Sequence, residues 1–202
     1  MVPWALLWPL VQSGDRSALG ELLGRYRNYL VLLARIQVRK RLQGKVADSD
    51  IVQQTLLEAH RDLEQFRGES EQEFVTWLQR LLETNVANQM RHFHGTQRRS
   101  PRLERGLQTE FNHSSPAIDR ALFAREESPS QHAVRHERGV LVADALSTLP
   151  TDYREAIIGR HFEGLTFAEL AERMGRTEDS VQKLWVRGLA QMKSALAARG
   201  VP

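Results

Sequence analysis

Apolar residues recur at spacings of three and four along most of this 202-residue chain, with no convincing run of the alternation that strands require. The pattern predicts a nearly all-helical protein. We expect helices over the following ranges: 17–42, 50–66, 71–93, 129–148, 152–162, 167–174 and 178–198. Pro150, Gly164 and Gly175 mark the breaks between the last four.

The helical period is lost over residues 95–127, where Pro, Ser, Gly and charged residues are frequent. Ser128 then begins the motif Ser-Pro-Ser-Gln, which offers an N-cap, a proline at the first helical position and a capping-box glutamine. We therefore predict an all-α fold with two small helical domains joined by a flexible linker. The first domain is predicted over 1–94, the linker over 95–127 and the second domain over 128–202.

Two short helices meet across a glycine-containing turn within residues 165–196, which is typical of a helix-turn-helix. Thr166 and Glu169 have the spacing of a capping box, so each side chain can bind the other's free backbone N–H at the helix start. Gly175 is expected to end this helix, and Thr177 is expected to cap the next one.

The second helix of this pair has one apolar side and one cationic side. The apolar positions are Val181, Trp185, Gly188 and Met192. Lys183 and Arg187 fall on the opposite side, where they could enter a DNA major groove. A plain helical hairpin also carries charges on its solvated face, so this pattern alone leaves both interpretations open.

Charge is unevenly distributed, although the net charge is only +3. Residues 16–45 contain eight Lys and Arg residues and one acidic residue, Glu21, and five arginines between 91 and 105 form a second excess. A polyanion is the expected partner of such segments, although solvated helix faces also carry charge runs.

Asp48, Ser49 and Asp50 precede an amphipathic stretch. They could begin a calcium loop, but Gln53 and Ala59 stand where an EF-hand needs glycine and glutamate. We therefore expect a helix start capped by Asp50 and no metal site.

The apolar side of this helix contains Val52, Ala59, Leu63 and Phe66, and its polar side contains Gln53, Gln54 and Glu58.

Amides and cations gather near one end of the helix predicted over 71–93, at Asn85, Asn88, Arg91 and His92. Amides beside an aromatic residue and a loop that could cup an unstacked base suit single-stranded nucleic acid. The aromatic residues of this segment also fit a packed core, which is the default interpretation.

No cofactor, metal site or enzymatic activity is expected. The chain has no cysteine, which excludes disulfides and thiolate metal sites and suits a reducing compartment. His92 and His94 do not share a helix face, and no Walker loop or serine nucleophile elbow is present.

The apolar start, 1–11, lacks the basic region and cleavage site of a signal peptide and is too short to cross a bilayer. We interpret it as a docking segment of a cytoplasmic protein.

Taken in order, these motifs resemble those of the sigma-70-class RNA polymerase sigma factors of the extracytoplasmic-function (ECF) type. The stretch DSDIVQQTLLEAHRDLEQFRGESEQEFVTWLQRLLETNVANQMR resembles that family's DLVQETF-type helix, FRG loop and TWL…N helix, which form its second region. The stretch ALSTLPTDYREAIIGRHFEGLTFAELAERMGRTEDSVQKLWVRGLAQMKSAL resembles its fourth region. Details such as LWVRGLAQMK resemble the planctomycete-type subgroup.

The resemblance implies a dissociable polymerase subunit that directs promoter recognition and melting, with core RNA polymerase and promoter DNA as partners. The largest-subunit clamp helices would bind Asp48, Asp50, Ile51, Gln53, Gln54 and Glu58 of the first domain. The minus-10 strand would bind Phe66, Arg67, Gly68, Glu69, Ser70, Arg80, Asn85, Asn88 and Arg91, with Phe66 and Asn85 around one flipped base. The minus-35 duplex would bind Arg160, Thr177, Ser180, Gln182, Lys183, Val186 and Arg187 of the second domain. The polymerase flap and an anti-sigma factor are further implied partners.

The chain departs from the family pattern at several of these positions. Gln54 replaces a usual Glu, His60 a usual Trp, Asn88 a frequent Asp and Leu184 a common Arg. The promoter sequence is therefore left open. Two other classes of protein also stay open: a homodimeric helix-turn-helix regulator that binds duplex operator DNA, and an interaction protein such as an adaptor or decoy.

Overall fold

The computed structural model describes residues 2–42, 47–93 and 132–199. Every regular element in these ranges is helical, which confirms the predicted all-α fold class. The chain divides into two compact units, Met1–His113 and Ser114–Pro202. The predicted linker and the predicted cap at Ser128 lie outside the described residues, so the exact domain boundaries stay predictions.

The first unit has four α-helices: α1 (Trp4–Gln12), α2 (Arg16–Leu42), α3 (Asp48–Arg61) and α4 (Glu71–Phe93), with a short 3-10 helix at Leu63–Gln65. The long helix α2 packs against the other three, and α3 also packs against α4. The fully buried side chains at its centre include Tyr26, Tyr29, Ile51, Phe74, Leu78 and Leu82. Apolar positions at helical spacing on α2, α3 and α4 therefore share one core.

Helix α1 was not among the predicted helices. The apolar start of the chain forms it, with Leu7 and Val11 buried and Pro9 inside the helix. The Trp4 and Trp8 rings stack at 4.7 Å between centroids, and Trp4 contacts the Phe74 ring at 5.1 Å. The segment thus docks onto the core of its own unit. A nine-residue helix is marginal in isolation, so this contact with the aromatic core accounts for its formation.

The start and end of α3 differ from the prediction. The helix begins at Asp48, and Ala47 occupies the N-cap position without a side-chain hydrogen bond, so the predicted cap at Asp50 is wrong. Asp48 and Asp50 lie in the first turn, where carboxylates suit the positive end of the helix dipole. The helix ends at Arg61, and Phe66 is extended after the 3-10 turn.

The second unit contains α5 (His132–Thr148), α6 (Thr151–His161), α7 (Phe167–Met174) and α8 (Glu178–Ala197). Helix α8 packs against α5, α6 and α7. Ala156, Leu170, Ala171 and Val181 form a buried cluster, covered in part by Leu165, Phe167, Met174, Leu184 and Trp185. Packing of one helix against three others fixes which side of α8 faces solvent.

Helix caps define the turn between α7 and α8 as predicted. Thr166 and Glu169 form a complete capping box, in which the Thr166 N–H donates to Glu169 Oε2 at 2.7 Å. Gly175 ends α7 in the left-handed conformation, with φ at 62°. The Ser180 N–H donates to Thr177 Oγ1 at 3.3 Å and so caps α8. The helix-turn-helix geometry therefore follows from local sequence signals.

Candidate nucleic-acid interfaces

The solvent side of α8 carries a compact polar and cationic surface. Gln182, Lys183, Val186 and Arg187 are exposed, whereas Val181, Gly188 and Met192 on the other side are buried. Lys183 Nζ lies 2.6 Å from Asp179 Oδ2, one turn earlier. Because both groups of this pair are exposed, the pair is weakly held, and a phosphate or a base edge can replace the carboxylate.

The other three predicted minus-35 residues lie close to helix ends of the same unit. Thr177 is exposed and Ser180 half-buried, and both belong to the cap of α8. Arg160 is exposed near the end of α6, where its guanidinium donates to the Leu165 carbonyl at 3.1 Å. The same guanidinium lies over the Phe167 ring, 5.2 Å from its centroid. Arg160 is thus held beside the start of α7.

A hydrogen bond between two rings fastens α8 to α6. Trp185 Nε1 donates to His161 Nε2 at 2.9 Å, and the Trp185 ring meets the Phe167 ring edge-to-face at 5.6 Å. Burial lowers the pKa of His161, and the neighbouring Arg160 lowers it further. The neutral imidazole that this favours is the form that can accept a hydrogen bond. The contact therefore orients the exposed side of α8.

The polar face of α3 in the first unit contains Asp50, Gln53, Gln54 and Glu58, and Asp48 lies in the first turn, on the side of the buried Thr55. Asp50, Gln53 and Gln54 are exposed, and Asp48 and Glu58 are half-buried. The Gln54 amide donates to Glu58 Oε1 at 2.7 Å.

Ile51 does not belong to this face. Only 1% of its surface is exposed, and it lies in the core, so its predicted direct contact with polymerase is corrected. The helix turns the Ile51 side chain inward.

Leu57 is a surface residue that the sequence reasoning missed. It exposes 59% of its surface and follows Gln53 and Gln54 by four and three residues, so it shares their face. The sequence could have identified Leu57, because it is a large apolar residue among polar residues on one helix face.

Hydrogen bonds to one carboxylate hold the end of the loop that runs from Phe66 to Ser70. The Glu73 carboxylate accepts hydrogen bonds from the N–H groups of Glu69 and Ser70, both at 3.0 Å, and from Ser70 Oγ at 2.8 Å. These hydrogen bonds lower the pKa of Glu73, with the Ser70 hydroxyl as the largest cause. The anchored carboxylate therefore holds the loop against the start of α4.

Aromatic packing holds the other end of this loop. The Phe66 ring lies 5.5 Å from Trp8, 5.4 Å from Phe74 and 5.4 Å from Trp77, centroid to centroid. The backbone at Gly68 packs closely against the Phe66 ring. A Cβ added there would collide with that ring and lie 2.8 Å from Glu73 Cβ. The FRG sequence is thus a tightly packed turn.

A cavity of about 690 Å³ opens beside this loop. Its lining includes Phe66 to Glu69, the α1–α2 turn and the end of α3, with Trp8, Arg16 and Arg61 among the side chains. Aromatic and cationic groups around one cavity can stack with a base and neutralise its phosphate. The sequence reasoning missed the contribution of α1, because it did not predict that helix.

Asn85 does not line this cavity. It is 6% exposed, and its Nδ2 donates to Thr55 Oγ1 at 3.2 Å and to Glu58 Oε2 at 2.7 Å. The pairing of Phe66 and Asn85 around one base is therefore not what the structure presents: Phe66 lies beside the cavity, and Asn85 faces α3.

A polar stripe instead follows the outside of α4. Arg80, Thr84 and Asn88 are exposed, and Arg91, which is half-buried, donates to the Asn88 side chain. Their spacings of four, four and three place them on one helix face. Thr84 was missed by the sequence reasoning, although this spacing could have identified it.

Within the described residues there is no cluster of three or more His, Cys, Asp or Glu side chains that could hold a metal ion. A search of the same residues for a helix long and apolar enough to cross a membrane also finds none.

Comparison with known proteins covers both units. The family model "Sigma-70, region 4" matches residues 140–192. The ECF RNA polymerase sigma-E factor of Haemophilus influenzae is 32% identical over 166 residues, which cover 81% of this chain and 79% of that protein. This chain belongs to the ECF RNA polymerase sigma factors. The sigma factor is also 30% identical to the RNA polymerase sigma-H factor of Pseudomonas aeruginosa and to the sigma-E factor of Escherichia coli K12, in each case over 165 residues, 81% of this chain and 78% of the relative.

Membership confirms the resemblance drawn from the motifs. In this sigma factor the region 4 match runs from within α5 to near the end of α8, so the helix-turn-helix lies in region 4.

Proposed function

We propose that this sigma factor binds core RNA polymerase in the cytoplasm, directs it to promoters and assists in opening them, without enzymatic activity of its own. The observation that carries the proposal is the alignment with ECF sigma factors over 81% of the chain, which spans both units. The cationic solvent face of α8 is consistent with DNA binding by the second unit. Two units that each bind weakly gain affinity when one chain connects them.

The polar face of α3 is the proposed polymerase surface, with the clamp helices of the largest subunit as its partner. It comprises Asp50, Gln53, Gln54, Leu57 and Glu58, with Asp48 beside it in the first turn of the helix. Carboxylates and amides on one helix face suit a basic and polar partner helix. Leu57 supplies the apolar contact that such interfaces concentrate near their centre.

The loop cavity and the α4 stripe are the proposed minus-10 surface. A base extruded from the duplex would enter beside Phe66, Arg67, Gly68, Glu69 and Ser70. The exposed side chains of Arg80, Thr84 and Asn88, together with the half-buried Arg91, would follow the same strand along α4. This differs from the sequence-based proposal in two respects: Thr84 is added to the surface, and Asn85 is assigned a structural role.

The exposed side of α8 is the proposed minus-35 surface. Gln182, Lys183, Val186 and Arg187 would face the major groove, while Arg160, Thr177 and Ser180 would lie toward the backbone. The polymerase flap and an anti-sigma factor complete the proposed partners, by analogy with the family.

Run-off transcription with purified core polymerase on a library of randomised promoters tests the proposal. Specific, open complexes are expected only when the sigma factor and core are combined, with weak duplex binding by the sigma factor alone. Tight, sequence-specific duplex binding by the protein alone at physiological salt would instead indicate a homodimeric regulator.

A matched pair of variants tests the polymerase surface. Leu57→Ser removes an exposed leucine from α3, and Leu6→Ser removes one that is 63% exposed on α1. Core binding should weaken about 30-fold or more for Leu57→Ser if Leu57 is a hot-spot residue, and stay unchanged for Leu6→Ser. Equal affinities for the two variants would remove Leu57 from the interface.

A further inference from the structure

Val186 is an apolar side chain on the polar solvent face of α8. It exposes 57% of its surface, the highest value for a large hydrophobic side chain among the described residues of the second unit. It follows the fully buried Val181 by five residues, which is about 140° around the helix. Core packing therefore does not explain why this position is apolar.

Groups that can bind bases and phosphates surround Val186. Gln182 and Lys183 precede it by four and three residues, so their side chains are its neighbours on the helix surface. Arg187 follows it and is also exposed. An amide, an ammonium and a guanidinium thus border a single isopropyl group on the surface proposed to enter the major groove.

The major groove offers one apolar feature to such a side chain. The base edges present hydrogen-bond donors and acceptors there, and the C5-methyl group of thymine is the apolar group among them. An isopropyl group neither donates nor accepts a hydrogen bond, so against the amino group of cytosine or adenine it would leave a polar group unpaired. Thymine is the base that this side chain can contact favourably.

We propose that Val186 contacts the C5-methyl group of a thymine in the minus-35 element and selects thymine at that position. The inference rests on the proposed function, in which α8 reads the minus-35 duplex. It adds the identity of one base and the atom by which that base is recognised.

Replacement of thymine by deoxyuracil tests this contact, since it removes only the methyl group. Promoters are first selected by the complete polymerase holoenzyme from a library with a randomised minus-35 element. Each thymine of the selected element is then replaced singly by deoxyuracil, and initiation is measured at limiting polymerase. The wild-type protein should lose about fourfold at one position, the equivalent of ~0.8 kcal/mol for one buried carbon group.

Val186→Ala should lower initiation on the thymine promoter and abolish the difference between thymine and deoxyuracil at that position. Gln191→Ala is the control: Gln191 is an exposed residue of α8 five residues further on, and its replacement should leave the ratio unchanged. A fourfold ratio that persists in Val186→Ala would overturn the proposal, as would a selected element in which no thymine shows the effect.

Lys183→Ala and Arg187→Ala separate this inference from the proposed function. If both variants lose minus-35-dependent initiation while no thymine methyl matters, α8 reads the element without the Val186 contact, and the inference alone is wrong. If neither variant affects minus-35 dependence, the assignment of α8 and the inference that rests on it are both wrong.

Discussion

Asn85 on α4 donates a hydrogen bond from Nδ2 to the Glu58 carboxylate on α3 at 2.7 Å. Glu58 also accepts from Gln54, so a line of polar contacts connects the proposed polymerase surface on α3 with the helix that bears the proposed minus-10 stripe. The residue that the sequence assigned to base recognition thus joins two helices.

Asn85→Ala should lower the stability of the first unit by about 1–3 kcal/mol, because Oε2 of the half-buried Glu58 carboxylate loses the donor that Asn85 provides. Urea unfolding of the full chain can be followed unit by unit with hydrogen exchange of α3 and α4 peptides. Asn88→Ala removes an exposed amide of the same helix and should change stability by no more than ~0.5 kcal/mol. Altered base preference with unchanged stability would restore Asn85 as a base-reading residue.

Gly68→Ala should impair promoter opening while polymerase binding is retained. The added Cβ would collide with the Phe66 ring and with Glu73 Cβ, so the loop beside the cavity must move. Permanganate reactivity of minus-10 thymines measures opening, and co-purification with core measures binding.

Gly24→Ala is the control for that experiment, since a Cβ at Gly24 on α2 meets nothing within 4 Å. It should raise stability slightly, by about 0.4–1 kcal/mol, and leave opening unchanged. Normal opening by Gly68→Ala would show that the loop conformation is unimportant.

Gly188→Leu should destabilise the second unit and spare the first. A Cβ at this position already lies 3.1 Å from Ile157 Cδ1 and from Tyr153 Cβ, so a larger side chain forces α8 away from α6. Overpacking of this kind costs about 1–3 kcal/mol. Hydrogen exchange should accelerate in peptides of the second unit, including α6 and α8, and not in those of the first. Unchanged protection of α6 and α8 would contradict the packing.

The second unit should lose stability as the pH falls below about 6.5. Burial lowers the folded-state pKa of His161, so the unfolded chain takes up a proton first. The loss of stability begins near the ordinary histidine pKa and continues until the pH is below the pKa of His161 in the folded state. His161→Gln keeps an acceptor for Trp185 and should flatten this dependence.

The measurement must again distinguish the two units, because the titration of Glu83 on α4 changes stability with pH in the opposite direction. Burial raises the pKa of Glu83 to about 7, opposed by Arg80. Its contribution to stability is complete at low pH and is lost as the pH rises through about 7. Hydrogen exchange of α8 peptides between pH 8 and 5 isolates the histidine, and a pH-independent rate of unfolding there would disprove its role.

The sequence alone determined helices α2 to α8 and the turn between α7 and α8. Helix periodicity, the Thr166 and Glu169 box, Gly175 and Thr177 act within a few residues, so their consequences could be predicted without the fold. The order of the motifs likewise identified the sigma factor family.

Only the tertiary structure decided which side chains of a helix face solvent. Thr84 and Asn85 are adjacent polar residues separated by about 100° of helix rotation, and the position of α3 buries one and leaves the other exposed. The same packing places Ile51 in the core and Leu57 on the surface. Helix α1 forms because Trp4 and Trp8 pack against Phe74 and Phe66, which are far away in the chain. Contacts of this kind leave no signal in the local sequence.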